Sequence, residues 1–169
     1  TRCALDERFI NTITHIPAGR SLNVLVDLLT ELAVAEGVSL SKSWDYIATA
    51  AAQSADSELD VNLAFFAGPL GDHGAIRGIT TENLRVGSLF RAAFRSMADN
   101  YAVLARRLSP AEDWNSVILS GGLAQSIDVL RQFLAEAIPG PQRLCPSTED
   151  TLLGLLAMTR VLTEKATTC

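Results

Sequence analysis

The stretch Trp114–Ser126 reads WNSVILSGGLAQS: a short apolar run ends at the pair Gly121-Gly122, and helix-forming sequence follows. A strand that stops at two glycines and restarts as a helix leaves bare backbone, and the positive end of that helix, open to a phosphate or nucleotide. Glycine pairs also serve steric purposes at strand-to-helix turns, so this turn reads as a nucleotide site only in company with other features.

Downstream, a helix is expected from about Gln125 to Ala137, with Ile127, Leu130, Phe133, Leu134 and Ala137 on one face, ended by Pro139-Gly140-Pro141. Arg143 to Cys145 is a candidate strand. Thr148 to Thr163 predicts a last helix whose first turn holds Glu149 and Asp150, as the positive helix end favours, with a frayed tail KATTC.

Upstream lies the clearest element of the chain. From Val86 to Leu108, the residues Phe90, Phe94, Met97, Tyr101, Leu104 and Leu108 follow one another at alternating steps of four and three, which draws a single apolar stripe. A stripe of Phe and Met at that spacing marks core rather than a cofactor box. Before it, Val61 to Ala67 and Ala75 to Thr80 predict two strands of a hairpin with a long loop punctuated by Gly68-Pro69 and by Gly71 to Gly74. Ser41 to about Ser54 predicts a helix. Ser21 to Glu36 predicts another, with Leu22, Leu25, Val26, Leu29, Leu32 and Ala33 at helical spacing, Ser21 as N-cap and Gly37 as the residue after the C-cap. Arg8 to Ile16 is rich in β-branched residues and predicts a strand that Pro17-Ala18-Gly19 breaks.

Strand signals followed by alternating helices and strands specify an α/β domain, a mixed sheet with helices packed on it. Ligands of open sheets bind beyond the carboxyl ends of the strands, where Gly121-Gly122 falls. A length of 169 residues suits one domain. With 48% hydrophobic and 20% charged residues the composition is that of an ordinary globular protein. The net charge of −5, pI about 5.0 and scattered Arg and Lys exclude an electrostatic footprint for nucleic acid. No apolar run reaches membrane-spanning length, and the N-terminus lacks the layout of a signal peptide, so a cytoplasmic location is expected with no membrane partner. Cys3, Cys145 and Cys169 have neither zinc-site nor disulfide-framework spacing and are expected to be reduced.

Acid–base chemistry has little to work with. The histidines are His15, near a strand end, and His73, in a glycine-flanked loop beside Asp72, and neither has a partner at motif spacing. Asp56, Glu58 and Asp60 alternate in a loop where solvation accounts for them, so no metal site and no catalytic set is expected. A nicotinamide-binding domain is excluded because GGLAQS is no GxGxxG fingerprint.

Order and spacing together resemble the C-terminal, nucleotide-binding domain of the FGGY carbohydrate kinases, in the actin/Hsp70/sugar-kinase superfamily. IPAGRSLNVLVDLL at Ile16–Leu29 resembles the family's glycine-led helix, GAIRGIT at Gly74–Thr80 its small-Arg-Gly strand, and LSGGLAQS at Leu119–Ser126 its adenosine motif. The long helix between them and the closing STEDTLLGLLAM complete the order. The resemblance implies a ribonuclease H-like, actin-like ATPase fold, with residues 1–169 forming the C-terminal half of a two-domain sugar kinase. It implies ATP as cofactor, with Mg²⁺ held mainly through the phosphates. The nucleotide-binding residues it implies are Gly19, Asn23, Gly121, Gly122, Gln125 and Ser126. Asn23 keeps the amide of the family's longer Gln, and Ser126 stands where Asn is usual; a turn aligned one residue differently lets Gln125 supply that amide.

The family's Asp-x-Gly-Thr motif, its sugar contacts and its catalytic Asp belong to upstream sequence, so the chain alone is expected to bind ATP or ADP without catalysing transfer to a sugar or polyol hydroxyl. Apolar surface is expected where the other domain would pack, and with it self-association as a homodimer. The alternative is a noncatalytic interaction or sensory domain of the same fold with a decayed nucleotide site, motivated by Ser120 and Ser126.

Overall fold

The computed structural model describes residues 2–3, 9–147 and 150–167. In chain order these form β1 (Arg2–Cys3), β2 (Phe9–Ile10), α1 (Gly19–Ala35), α2 (Ser43–Gln53), β3 (Asp60–Asn62), β4 (Ala75–Arg77), α3 (Val86–Leu108), β5 (Val117–Leu119), α4 (Gly122–Ser126), α5 (Asp128–Ala137), β6 (Gln142–Leu144) and α6 (Asp150–Thr167).

The predicted apolar stripe is the spine of the fold. Phe90, Phe94, Met97 and Leu104 are buried, and α3 packs against α2, α5 and β3. Toward its end the stripe surfaces, with Tyr101 half-buried and Leu108 exposed. Arg91 and Arg95 reach from α3 to Asp56, with Nε–Oδ1 at 2.6 Å and Nη2–Oδ2 at 2.8 Å, and their guanidinium groups lie 5.0 and 4.1 Å from the centre of the Phe133 ring on α5. Asp56 is therefore an anchor between α3 and the loop after α2 rather than the solvating residue that its sequence context predicts. Asp60 likewise pairs with Arg77 across the hairpin, at 3.3 Å.

The strands are shorter than predicted and form three separate two-stranded ladders instead of one mixed sheet. β1–β2 and β3–β4 are antiparallel, the latter being the predicted long-loop hairpin, and β5–β6 is parallel in the register Val117↔Gln142. The strand expected over Arg8–Ile16 is confined to Phe9–Ile10, Arg8 itself lying outside the described residues. The backbone at His15 adopts φ 61°, which an extended strand cannot carry. The loop at Gly68 packs on that turn so closely that a Cβ there would stand 2.5 Å from the His15 carbonyl oxygen.

α1 begins at Gly19, two residues before the predicted cap. Ser21 is buried inside the first turn, donates its backbone N–H to the Ala18 carbonyl at 2.8 Å, and caps nothing. The C-terminus is as predicted: Gly37 has φ 75°, and the bonds Gly37 N–H to Val34 O and Val38 N–H to Ala33 O close a Schellman motif.

The single helix expected over Gln125–Ala137 starts earlier, at Gly122, and is broken at Ile127, whose backbone is extended (φ −117°, ψ 99°) and whose side chain is buried. Arg131 makes the break tolerable, since its Nη1 donates to the Ala124 and Gln125 carbonyls at 2.7 and 2.9 Å and so satisfies acceptors that the end of α4 leaves open.

The last helix is placed as expected but runs through Thr167, so residues 165–167 of the tail are helical; Thr148, Glu149, Thr168 and Cys169 lie outside the described residues. No described helix is long and apolar enough to cross a membrane. Two helices nevertheless show uncovered apolar side chains: Leu28, Leu29, Leu32 and Val34 on α1, and Leu152, Leu153, Leu155, Leu156 and Met158 on α6.

Candidate nucleotide site

β5 delivers the chain to the glycine pair. Gly121 has φ 91° and ψ 159°, a conformation that residues with a Cβ essentially never adopt, and Gly122 opens α4. A Cβ built on either glycine would meet no atom of a described residue within 4 Å. Among the described residues, then, no packing closes the turn on that side.

Two cavities meet there. One, of about 480 Å³, is lined by Gly19 and Asn23 of α1, by Trp44, Asp45 and Ala48 of α2, and by Gly122, Leu123, Ser126 and Ile127 around α4. The other is an apolar cleft in which Gly19, Gly121 and Gly122 meet Ile16, Tyr101, Leu104 and β5, the last paired among the described residues only with β6. Gly122 and Gly19 border both; Gly121 faces only the cleft.

The first cavity thus gathers four of the six residues singled out by the sequence, Gly19, Asn23, Gly122 and Ser126, from two distant stretches. Gly19 permits the approach, because a Cβ at that position would lie 3.1 Å from Cδ1 of Leu123. Asn23 and Ser126 are exposed, and the Asn23 amide makes no hydrogen bond to a described residue. Gln125 is placed elsewhere: its Nε2 donates to the Ser147 carbonyl at 2.7 Å, tying α4 to the loop after β6, and it does not line the cavity. Of the two residues that the resemblance offers for the amide position, Ser126 borders the cavity and Gln125 is turned to Ser147.

Trp44 and Asp45 are additions that sequence reasoning misses. In the sequence Trp44 is one apolar residue on a predicted helix, and nothing local marks it. In the fold it is half-buried, its ring edge-on to the buried Phe90 at 6.0 Å and 73°, and α2 brings it to the cavity wall.

The histidines occupy other ground. His73 Nδ1 and Asp72 Oδ1 lie 2.5 Å apart on an exposed loop, and His15 bonds Thr14 Oγ1 at 3.0 Å on the surface. Neither residue lines either cavity at the glycine turn. Among the described residues no three His, Cys, Asp or Glu side chains gather as a metal-binding group.

No protein-family model matches the sequence, and no curated protein matches it. In three dimensions the chain is similar to the crystal structure of xylulose kinase from Rhodospirillum rubrum, with a TM-score of 0.59 and 20% identity over 75% of this chain. The chain spans about a quarter of the length of that kinase, 25%. The likeness is one of fold, and it is the likeness that the resemblance to the FGGY carbohydrate kinases predicts: an α/β domain with the architecture of part of a sugar kinase.

Proposed function

We propose that this chain is the ATP-binding, C-terminal domain of an FGGY-type carbohydrate kinase, of the ribonuclease H-like class. One observation carries the reading. Gly19, Asn23, Gly122 and Ser126, chosen by motif resemblance from two distant stretches of the sequence, border a single cavity beside an open glycine turn.

The residues present fit a nucleotide. On the side where a Cβ would stand, Gly121 and Gly122 have no described neighbour within 4 Å that a ligand would have to displace. The 17-residue helix α1 starts at Gly19 on the same wall, and its N-terminal end favours negative charge. Asn23 and Ser126 supply an amide and a hydroxyl that make no hydrogen bond to a described residue. Mg²⁺ would be held mainly through the nucleotide's phosphates. The chemistry that a bound ATP supplies is transfer of its terminal phosphoryl group to a sugar or polyol hydroxyl. This chain's share is to hold and orient the nucleotide, while the proton-accepting Asp and the sugar contacts come from a second domain closing over it.

Calorimetric titration of the chain with ATP tests the reading. Binding is expected in the parent and abolished by Gly122→Trp, whose indole fills the cavity. Undiminished affinity in that variant would place the site elsewhere, and no binding in the parent would favour a noncatalytic domain of the same fold.

A further inference from the structure

Trp44 is held on one side and free on the other. Its ring meets Phe90 edge-on at 6.0 Å, and Phe90 is fully buried and itself packed on Phe94 at 6.0 Å, so the indole is backed by close-packed core. Trp44 lines the cavity that Gly122 and Ser126 border, and also a second cavity, which Val26 and Val34 of α1 and Ser41 to Ser43 line. Its indole N–H donates to no described residue, whereas that of Trp114 donates to the Pro139 carbonyl at 2.8 Å. A half-buried indole, rigidly backed and with a spare donor beside an open cavity, suits a planar aromatic ligand.

Charge sets the direction in which a nucleotide would lie. Asp45 stands next to Trp44 on the same wall, and its carboxylate forms no ion pair with a described residue. The start of α1 has no acidic residue in its first turn and attracts a polyphosphate together with the bare backbone at Gly122, whereas at the start of α2 the Asp45 carboxylate offsets the positive helix end.

Resting on the nucleotide reading above, we infer that Trp44 is the stacking wall for the base, so that the site takes a nucleoside triphosphate by its base as well as by its phosphates, with the phosphates running away from Asp45. Stacking is tolerant of base identity, because every base presents a π-face.

The chain holds two tryptophans, so Trp114→Phe leaves Trp44 as the sole reporter. Titrating this variant with ATP is expected to change Trp44 emission saturably, with the midpoint found by calorimetry, while inorganic tripolyphosphate leaves emission unchanged. Trp44→Leu is expected to weaken ATP binding by about 5- to 150-fold, and Trp44→Phe to restore most of it. ATP binding without a change in Trp44 emission, or with equal affinity in Trp44→Leu, overturns the inference and leaves the nucleotide reading standing. Absence of any ATP binding in the parent overturns both. The fluorescence arm leaves position 44 unaltered, so it decides the matter even where substitutions there disturb folding.

Discussion

Gly19 and Leu123 approach so closely that a methyl group added at Gly19 would lie 3.1 Å from Cδ1 of Leu123. The contact joins α1 to α4 and sets the spacing of the two walls between which the proposed nucleotide cavity opens. Leu123 meets the glycine with the end of a flexible side chain, so Gly19→Ala is expected to be accommodated within about 1 kcal/mol, and Gly19→Val to cost about 1–3 kcal/mol through overpacking. Chemical denaturation measures both. ATP affinity should fall more steeply from Ala to Val than stability does, since separating α1 from α4 misplaces Asn23 and Gly122 together.

The two glycines of the turn are predicted to respond in opposite ways. Gly121, at φ 91° and ψ 159°, meets no steric neighbour, so Gly121→Ala is penalised by backbone strain alone, about 1–3 kcal/mol. Gly122 begins a helix with open space around it, and Gly122→Ala should leave stability unchanged or raise it by up to about 1 kcal/mol. Equal losses in the two variants would show that packing, not conformation, dictates the pair.

Gln125 separates a structural amide from a ligand-binding one. Its bond to the Ser147 carbonyl at 2.7 Å predicts that Gln125→Ala lowers stability by about 1 kcal/mol and leaves ATP affinity untouched. A selective loss of nucleotide affinity at unchanged stability would return Gln125 to the site.

Asp56 predicts a pH dependence. Its carboxyl is held below the ordinary value of 3.8, first by the hydrogen bond from Arg91 and, against the opposing effect of desolvation, by that from Arg95 and the charge of both arginines. A carboxylate with a depressed folded-state pKa stabilises the fold above its unfolded value and loses that contribution as pH falls through the lower, folded one. The group is exposed, so screening limits the effect to about 1 kcal/mol or less. Asp56→Asn is therefore expected to be slightly less stable than the parent at pH 7 and equal to it in strong acid, a convergence that thermal melts at the two pH values would reveal.

What the sequence discloses divides along physical lines. The helix Val86–Leu108 is legible to the residue because its apolar stripe is local and periodic, and the end of α1 is legible because Gly37 supplies the one conformation a Schellman motif needs. The break at Ile127 is not, since it depends on Arg131 reaching back to two carbonyls and on a buried side chain whose destination lies on other elements. Asp56 reads as a solvated loop residue until α3 brings Arg91 and Arg95 to it. Four of the nine residues lining the cavity at the glycine turn follow from glycine and amide motifs. Trp44 does not, because α2 reaches the cavity only through its packing on Phe90.

The uncovered apolar side chains of α1 and α6 lead to the last prediction. On α1, Leu28 and Leu32 lie one turn apart and are 62% and 80% exposed, more than isolated surface leucines on a self-sufficient domain need be. On α6, Leu152, Leu153, Leu155 and Leu156 are exposed together. A helix whose inner turn alone is buried, as α1 is at Ser21, Leu22 and Leu25, gains its remaining stabilisation from whatever covers the outer turns. In the absence of such a cover, concentration-dependent self-association is expected in sedimentation experiments. Leu28→Glu with Leu32→Glu should suppress it without lowering the melting temperature appreciably, because both side chains are already in water. A single monomeric boundary at high concentration, or association indifferent to the double substitution, would contradict this account of the surface.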